Sequence, residues 1–402
     1  DLRPPPLVTV RSCHAAGKDW LSARLALWFA YARQGLVILT GPTSTQVSEI
    51  LMRGEIRAAF QGSGLPGHLG VQALRPEGKG EGRAGILART SNSVSALTGF
   101  HDTDVLYAIT EAQSPDTAPA WTAAFGVATG ARDRILTVGN PVHQSGRFYR
   151  AHRPDSDWYS FRISAAMIPN VAQGEEVIPG LMSPQGVERL KKEFGPKSAE
   201  VATRVRAEFP DAPEGSLFRR SQLEAAARRH EDDALEQGDV VCALDVARSG
   251  PNDSVLAIRS GPVIREIVTL RSESTADLIS EVRAALSQRS LGRVPIIVDS
   301  VGIGGYVADR LRELRYPAVD FRGGAKASDP NSFRNARAES YWKLRLLLEE
   351  NRVALPRDET LFEELLATRR TTTSDGAIQL EAKHLITSRL GRSPDRADAT
   401  SM

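Results

Sequence analysis

DVVCALDV, residues 239–246, and VPIIVD, residues 294–299, are two apolar strands that each carry a carboxylate, Asp245 and Asp299. Apolar runs of this length read as strands covered on both faces. A carboxylate in such a strand is costly unless a cation compensates it. Outward from the first strand, RSGPNDS (248–254) turns the chain into a meander, VLAIRS and PVIREIVTL, followed by a helix predicted over 275–289. Outward from the second, SVGIGG (300–305) turns into the helix GGYVADRLREL, and a long helix is predicted over about 333–350. The pattern predicts an α/β unit over 237–402.

The segment GRSPDRADA, 391–399, adds the third acidic element. Pro394 stands near the start of a predicted helix, so Asp395 and Asp398, three apart, share one face. Two acidic strand ends and one acidic helix can converge above a sheet. An all-oxygen ligand set selects Mg2+ or Mn2+ rather than Zn2+. Two such ions suit phosphodiester hydrolysis, one activating water and the other stabilising the leaving 3′ oxygen. Asp245, Asp299 and Asp398 are the expected catalytic and metal-binding acids, with Asp395 as alternate or partner of Asp398. Asp253 is either an accessory ligand or a turn cap. Lys326, Arg334, Arg337, Lys343, Arg369, Arg370, Lys383 and Arg392 are scattered as on an ordinary surface, although some suit a phosphate-backbone groove.

The N-terminal half has the rhythm of a mostly parallel α/β sheet. Strands are predicted at 7–11, 36–40, 86–90, 105–110, 135–139 and 159–164, and helices at 18–34 and 43–60. Residues 61–85 are glycine-rich and read as a long loop with a hairpin. Residues 175–236 read as a linker or small bridging subdomain, leaving 1–174 as the first domain.

The first strand runs into Ser12-Cys13-His14-Ala15-Ala16-Gly17-Lys18-Asp19. Gly17 and Lys18 fit a Walker A turn, with Ser12 where the first Gly belongs and Asp19 where the hydroxyl belongs. Backbone N–H groups from Ser12 through Ala16 and Gly17 would face phosphate at the helix start, and Lys18 would reach it. The strand at 105–110 ends in Thr110-Glu111, with Glu111 placed to activate water and Thr110 where an Asp usually supports Mg2+. The strand at 135–139 delivers Asn140, either a γ-phosphate sensor or an Asn-Pro turn. Together these predict an ATP–Mg2+ site. Asp19 and Thr110 suggest that the carboxylate and hydroxyl ligands are exchanged across one Mg2+; the alternative is a weakened site. Arg83, Arg89 and Arg147 are arginine-finger candidates by position. His14 reads as loop filling, and His101 and His143 are isolated.

The net charge of +2 excludes a uniformly basic nucleic-acid binder and confines any such surface to a patch. Cys13 and Cys242 are too few for a disulfide framework or a thiolate zinc site, which fits a reducing compartment. No transmembrane run is expected, and DLRPPPLVTV is not a signal peptide. The abrupt start without Met suggests that natural N-terminal sequence precedes it.

CHAAGKD, LYAITEAQ, TVGNP with SGRFY, EFP, CALDVARSGPNDS, IIVDSVGIGG and GRSPDRADA, in that order, resemble the large terminase subunit of tailed bacteriophages over nearly the whole chain. The resemblance implies a P-loop ASCE-type ATPase domain followed by an RNase H-like nuclease domain. It implies ATP-driven translocation of double-stranded DNA into a procapsid and cleavage of concatemers. It further implies a small terminase subunit and a portal protein as partners, a ring, commonly a pentamer, and a place in the host cytoplasm at the portal vertex. Lys18 would bind phosphate, Glu111 would be the catalytic carboxylate and Asn140 would belong to the coupling motif. The resemblance implies adenine-binding residues before the first strand, which are not found in this sequence, and Ser12, Asp19 and Thr110 depart from the usual pattern. A helicase–nuclease would need further motor motifs, and a non-catalytic scaffold would not need the acids.

Overall fold

Alternation of side chains along buried strands decides the layers of this protein. The computed structural model describes residues 6–78, 85–90, 92–213, 215–247, 253–373 and 376–402. The chain forms two compact units, Asp1–Pro210 and Asp211–Met402.

In the first unit, eight strands form one sheet. They are β1 (Leu7–Ser12), β2 (Leu36–Thr40), β3 (Gly67–Leu69), β4 (Ala73–Pro76), β5 (Ile86–Ala88), β6 (Val105–Ile109), β7 (Arg134–Gly139) and β8 (Tyr159–Ile163). Their order is β3-β4-β5-β2-β6-β7-β1-β8. The run from β5 to β8 is parallel, and β3 and β4 add an antiparallel edge. LVILT and VLYAI are buried at every position, because helices cover both faces. Helix α1 (Lys18–Ala32) and the helical stretch from Thr45 pack on one face with Val37, Leu39, Leu106 and Ala108. Helix α2 (Ala118–Val127) packs on the other with Ile38, Tyr107 and Ile109.

The second unit has a five-stranded sheet: β9 (Val240–Asp245), β10 (Ser254–Ser260), β11 (Val263–Leu270), β12 (Ile296–Asp299) and β13 (Ala318–Phe321), ordered β11-β10-β9-β12-β13. β9 to β11 form an antiparallel meander, and β12 and β13 run parallel to β9. Cys242 and Leu244 face a core with helices α3 (Thr275–Gln288) and α4 (Ile303–Glu313). Ala243 faces the opposite way, against Ala399. Period-2 alternation therefore turns Asp245 to the Ala399 side. The same parity puts Ile297 and Asp299 there. Ile297 pairs with Ala243 and Val298 with Leu244, so the next step sets Asp299 beside Asp245.

That side is covered by α5 (Ala336–Glu349), α6 (Glu359–Ala367), α7 (Lys383–Leu390) and α8 (Asp395–Ser401). A hairpin of β14 (Arg370–Thr372) and β15 (Ile378–Leu380) adds to it. The sequence reading assigned no element between 351 and 392. The α6 sequence ETLFEELLA is acidic, yet Glu363 and Glu364 are buried because Arg392 and helix amides meet them.

The stretch expected to form a bridge, 175–236, divides at the unit boundary. Met182, Val187, Val201 and Val205 pack with Cys13 in the first unit. Phe209 lies edge-on to Phe148, Tyr149 and His152. Phe218 is fully buried in the second unit beside Tyr341. No described helix is long and apolar enough to cross a membrane.

The turn from β12 into α4 leaves no room for a side chain at Gly304, where a Cβ would lie 1.8 Å from the Asp299 carbonyl oxygen. Gly304→Ala is expected to cost about 1–3 kcal/mol through overpacking, read as a lower urea midpoint. A variant as stable as the parent would refute that packing.

Candidate functional site

A cavity of about 550 Å³ opens at the end of β9 and β12, lined among others by Asp245, Asp299, Asp395, Asp398 and Lys383. Asp245 and Asp299 come from adjacent strand ends. Asp395 and Asp398 come from the first turn of α8. Lys383, the first residue of α7, directs its ammonium into the acids. Its Nζ is 2.8 Å from Asp398 Oδ2, 3.4 Å from Asp395 Oδ1 and 3.8 Å from Asp245 Oδ2. The other oxygen of Asp398 accepts from Arg337 Nε at 3.0 Å and from the Tyr341 hydroxyl at 2.6 Å. Arg337 and Tyr341 are one helical turn apart on α5, so both reach the same atom.

Burial pushes the Asp245 carboxyl well above its ordinary range; Lys383 opposes this, while Asp398, Asp395 and Asp299 reinforce it. Asp299 is also raised by burial, against its hydrogen bond from the Val301 amide. Burial works to raise Asp398 too, but Arg337 and Lys383 together outweigh it and hold the carboxyl below its usual value. Burial alone would lower Lys383, yet Asp398 and Asp245 raise it. Glu364 accepts from the Ala397 amide at 2.9 Å and so secures the start of α8. Burial pushes its carboxyl up to about 7.

Asp245 Oδ2 is buried without a hydrogen-bond partner. That orphaned acceptor, in an all-oxygen cluster, fits a hard divalent cation. Among the described residues no group of three or more His, Cys, Asp or Glu side chains is placed to hold a metal ion. Asp253 is not among the cavity-lining residues; among the described residues it pairs with Arg271 at 3.5 Å.

In the first unit, β1 delivers the turn Cys13–Gly17 to the start of α1. Ala15 has φ 49 and Gly17 φ 76, both left-handed. The Cys13 and His14 amides donate to Ile163 and Arg204 carbonyls, and the Ala15 carbonyl accepts from Met182. The amides of Ala16, Gly17 and Lys18 have no backbone acceptor among the described residues. Lys18 Nζ donates to Asn140 Oδ1 at 3.2 Å and lies 3.8 Å from Glu111 Oε1. Asn140 Nδ2 donates to the Ser12 carbonyl at 2.8 Å. Gln113 lies between Glu111 and the Asn140 amide, at 2.6 and 3.2 Å.

Ser12, Gly17, Lys18, Glu111 and Asn140 are thus brought together. Ser12 contributes its carbonyl, while its hydroxyl bonds the Cys13 carbonyl. Asp19 accepts from Gln46 at 3.4 Å, and burial raises its carboxyl while Lys18 opposes. The buried Thr110 hydroxyl donates to the Thr40 carbonyl at 3.2 Å. Arg89 donates to Gln72 and Arg147 to Thr122; Arg83 lies outside the described residues. Sequence reasoning passed over Tyr341 and Gln113 and left Arg337 and Lys383 among bases scattered as on an ordinary surface, some suited to a phosphate-backbone groove; Lys383 is exposed, with its ammonium against the acids. Only the spacing of Arg337 and Tyr341 on one helix face was available as a signal. Nothing local marks Lys383 as an inward cation.

The fold and these two clusters define a two-unit α/β protein, with a lysine-bearing strand–turn–helix in one unit and a cation-compensated acidic cavity in the other. In sequence the chain is similar to large terminase subunits: it is 28% identical over 250 residues to the probable terminase large subunit of Enterobacteria phage P7, covering 59% of this chain. The chain spans about half the length of that relative, 49%. No protein-family model matches. Among solved structures, the nuclease domain of the large terminase subunit gp2 of bacterial virus Sf6 overlaps with 22% identity and a TM-score of 0.42, covering 46% of this chain and 97% of that domain. A large terminase from a thermophilic bacteriophage in complex with ADP overlaps with 10% identity and a TM-score of 0.42, covering 99% of this chain and 94% of the other.

Asp398→Asn should cost about 1.5–3 kcal/mol at neutral pH, because it removes the anion hydrogen-bonded to the half-buried Arg337. The Asp398 carboxyl is held below its unfolded value, so its stabilisation is present above the ordinary carboxylate range and lost as pH falls through the folded value. The stability gap between parent and variant, measured by denaturant titration, should therefore narrow on acidification. A gap that widens would refute this assignment.

Proposed function

We propose that the second unit is a divalent-cation-dependent DNA endonuclease with an RNase H-like fold. The observation that carries this reading is the convergence of Asp245, Asp299, Asp395 and Asp398 around Lys383 at the end of two parallel strands. Asp245, Asp299 and Asp398 would hold Mg2+ or Mn2+, with Asp395 as alternate or partner and Asp253 as an accessory residue from the neighbouring turn. When bound, such cations activate water and neutralise the leaving oxygen of a phosphodiester. Arg337 and Tyr341 fix one oxygen of Asp398, so its second oxygen faces the cavity. Lys383 holds the acids together as their counter-charge.

The first unit, in this reading, is a P-loop ASCE-type ATPase. Its sheet sets β7 between the turn-bearing strand β1 and the Glu111-bearing strand β6. Uncommitted amides at Ala16, Gly17 and Lys18 suit an anion, and left-handed Ala15 and Gly17 turn successive amides to one side. Lys18 would bind phosphate and Glu111 would take the proton of the attacking water. Asp19 and Thr110 would supply the exchanged Mg2+ ligands. The functional parts would be the ATPase over 1–174 and the nuclease over 237–402, with the bridge of 175–236 shared between the two units. Joined in one chain, they make a DNA-packaging subunit that moves double-stranded DNA into a procapsid and cuts the concatemer. The likeness to the phage P7 protein supports this role. Its partners would be DNA, a portal protein, a small terminase subunit and further copies in a pentameric ring, in the host cytoplasm at the portal vertex.

With Mn2+ or Mg2+ present, the parent should nick supercoiled plasmid, and Asp299→Ala should not, as scored on agarose gels. Nicking at parental rate by Asp299→Ala would sink the nuclease reading. For the first unit, Lys18→Ala should abolish ATP turnover in a phosphate-release assay, and Asp19→Ala should lower it. Full activity in Asp19→Ala would remove the exchanged-ligand arrangement while leaving the Lys18 assignment standing.

A further inference from the structure

Glu111, two residues past the end of β6, has φ 47, a left-handed conformation that non-glycine residues rarely adopt. Its carboxylate is therefore aimed by an unusual backbone and by whatever its oxygens meet. Oε1 lies 3.8 Å from the Lys18 ammonium. Oε2 accepts from Gln113 Nε2 at 2.6 Å, and Gln113 Oε1 accepts from the Asn140 backbone amide at 3.2 Å. This orientation of the Gln113 amide is forced. Only its NH2 can donate to a carboxylate, and only its carbonyl can accept from an N–H. Asn140 in turn accepts from Lys18 and donates to the Ser12 carbonyl. The circuit Lys18–Glu111–Gln113–Asn140 joins the ends of β6, β7 and β1.

A second observation comes from Gly139. A Cβ built there would lie 2.1 Å from Gln113 Oε1, far closer than the 3.2 Å to the Phe148 ring. Gly139 is not among the residues with positive φ, so space for Gln113 rather than backbone freedom explains the glycine. The last residue of β7 is thus cut away where the Gln113 amide crosses.

We propose that Gln113 is a positioning residue for ATP hydrolysis, aiming the Glu111 carboxylate by bridging it to the Asn140 backbone through the gap that Gly139 leaves. The inference rests on the reading of the first unit as an ATPase. Among the described residues Gln113 bonds Glu111 and Asn140 rather than Lys18, and it does not belong to the turn before α1. Its loss acts on turnover and spares nucleotide binding.

The test uses the full chain. ATP turnover gives kcat and KM, displacement of a fluorescent ADP analogue gives affinity, and the thermal midpoint reports folding. Gln113→Leu removes both hydrogen bonds. Gln113→Glu keeps an acceptor for the Asn140 amide but removes the donor to Glu111 and sets a like charge beside it. Gly139→Ala displaces Gln113 without touching it chemically. All three are expected to lower kcat by about 10²-fold, the scale of a small misplacement of a catalytic group, with ADP-analogue affinity unchanged. Parental kcat in Gln113→Leu overturns the inference, as does a joint loss of affinity and melting temperature in Gln113→Glu, which marks a purely structural role. If Gln113→Leu does not fold, Gln113→Glu decides by the same criteria. Glu111→Gln separates the levels: unchanged turnover in that variant removes the catalytic role of Glu111 itself. A parent that turns over no ATP overturns the ATPase reading and this inference with it.

Discussion

Four carboxylates brought to one end of a buried sheet repel one another and lose water. Any structure that gathers them must supply positive charge from elsewhere. In this protein Lys383 and Arg337 supply it, from two helices distant in sequence from the strands they serve. Arg337 and Tyr341 hold one oxygen of Asp398, and Lys383 holds the other. The result is asymmetric. Asp398 is kept ionised by its partners, while Asp245, with one orphaned oxygen, is pushed toward the neutral form. A cluster with that imbalance has an acceptor to offer an incoming cation and a resident cation that shares the same oxygens.

The helix carrying Asp395 and Asp398 packs on the sheet through a small apolar cluster. Ala243, Val255, Ala257 and Ala399 form its core, with Ile267, Ile297 and Met402 against it. Glu364 then accepts the Ala397 amide, which anchors a seven-residue helix whose N-terminus has no capping side chain of its own. On the opposite face of the same strands, Leu244, Leu256 and Val298 pack against α3 and α4 and hold the strand ends in place. One face of the sheet is thus given to apolar packing and the end of the other to charge.

The first unit solves a similar problem with fewer charges. Lys18 lies between Asn140 and Glu111, and the turn before it leaves several amides uncommitted. Residues 182–205 pack beneath the turn through Cys13, so the loop rests on an apolar support rather than hanging free. Charge is balanced within the circuit at the strand ends, where the Lys18 ammonium meets Glu111.

Strand and acid positions were legible in the sequence because they obey local rules. Apolar runs with period-2 parity placed Asp245 and Asp299 at strand ends, and Pro394 with a three-residue spacing placed Asp395 and Asp398 on one helical face. Glycine next to lysine after the first strand placed the turn that opens α1. The α/β class and its two-unit division follow from the same patterns, although the boundary at Pro210 fell inside the stretch read as a bridge. Tertiary structure alone decided which cations meet the acids. Lys383 and Arg337 look like any surface base in sequence, since inward direction depends on what packs around a helix rather than on its composition. It also decided that Gln113 reaches Glu111 and Asn140, because that bond spans two strands and a missing Cβ at Gly139. Local spacing fixes which face a residue takes; only the packed chain fixes what it finds there.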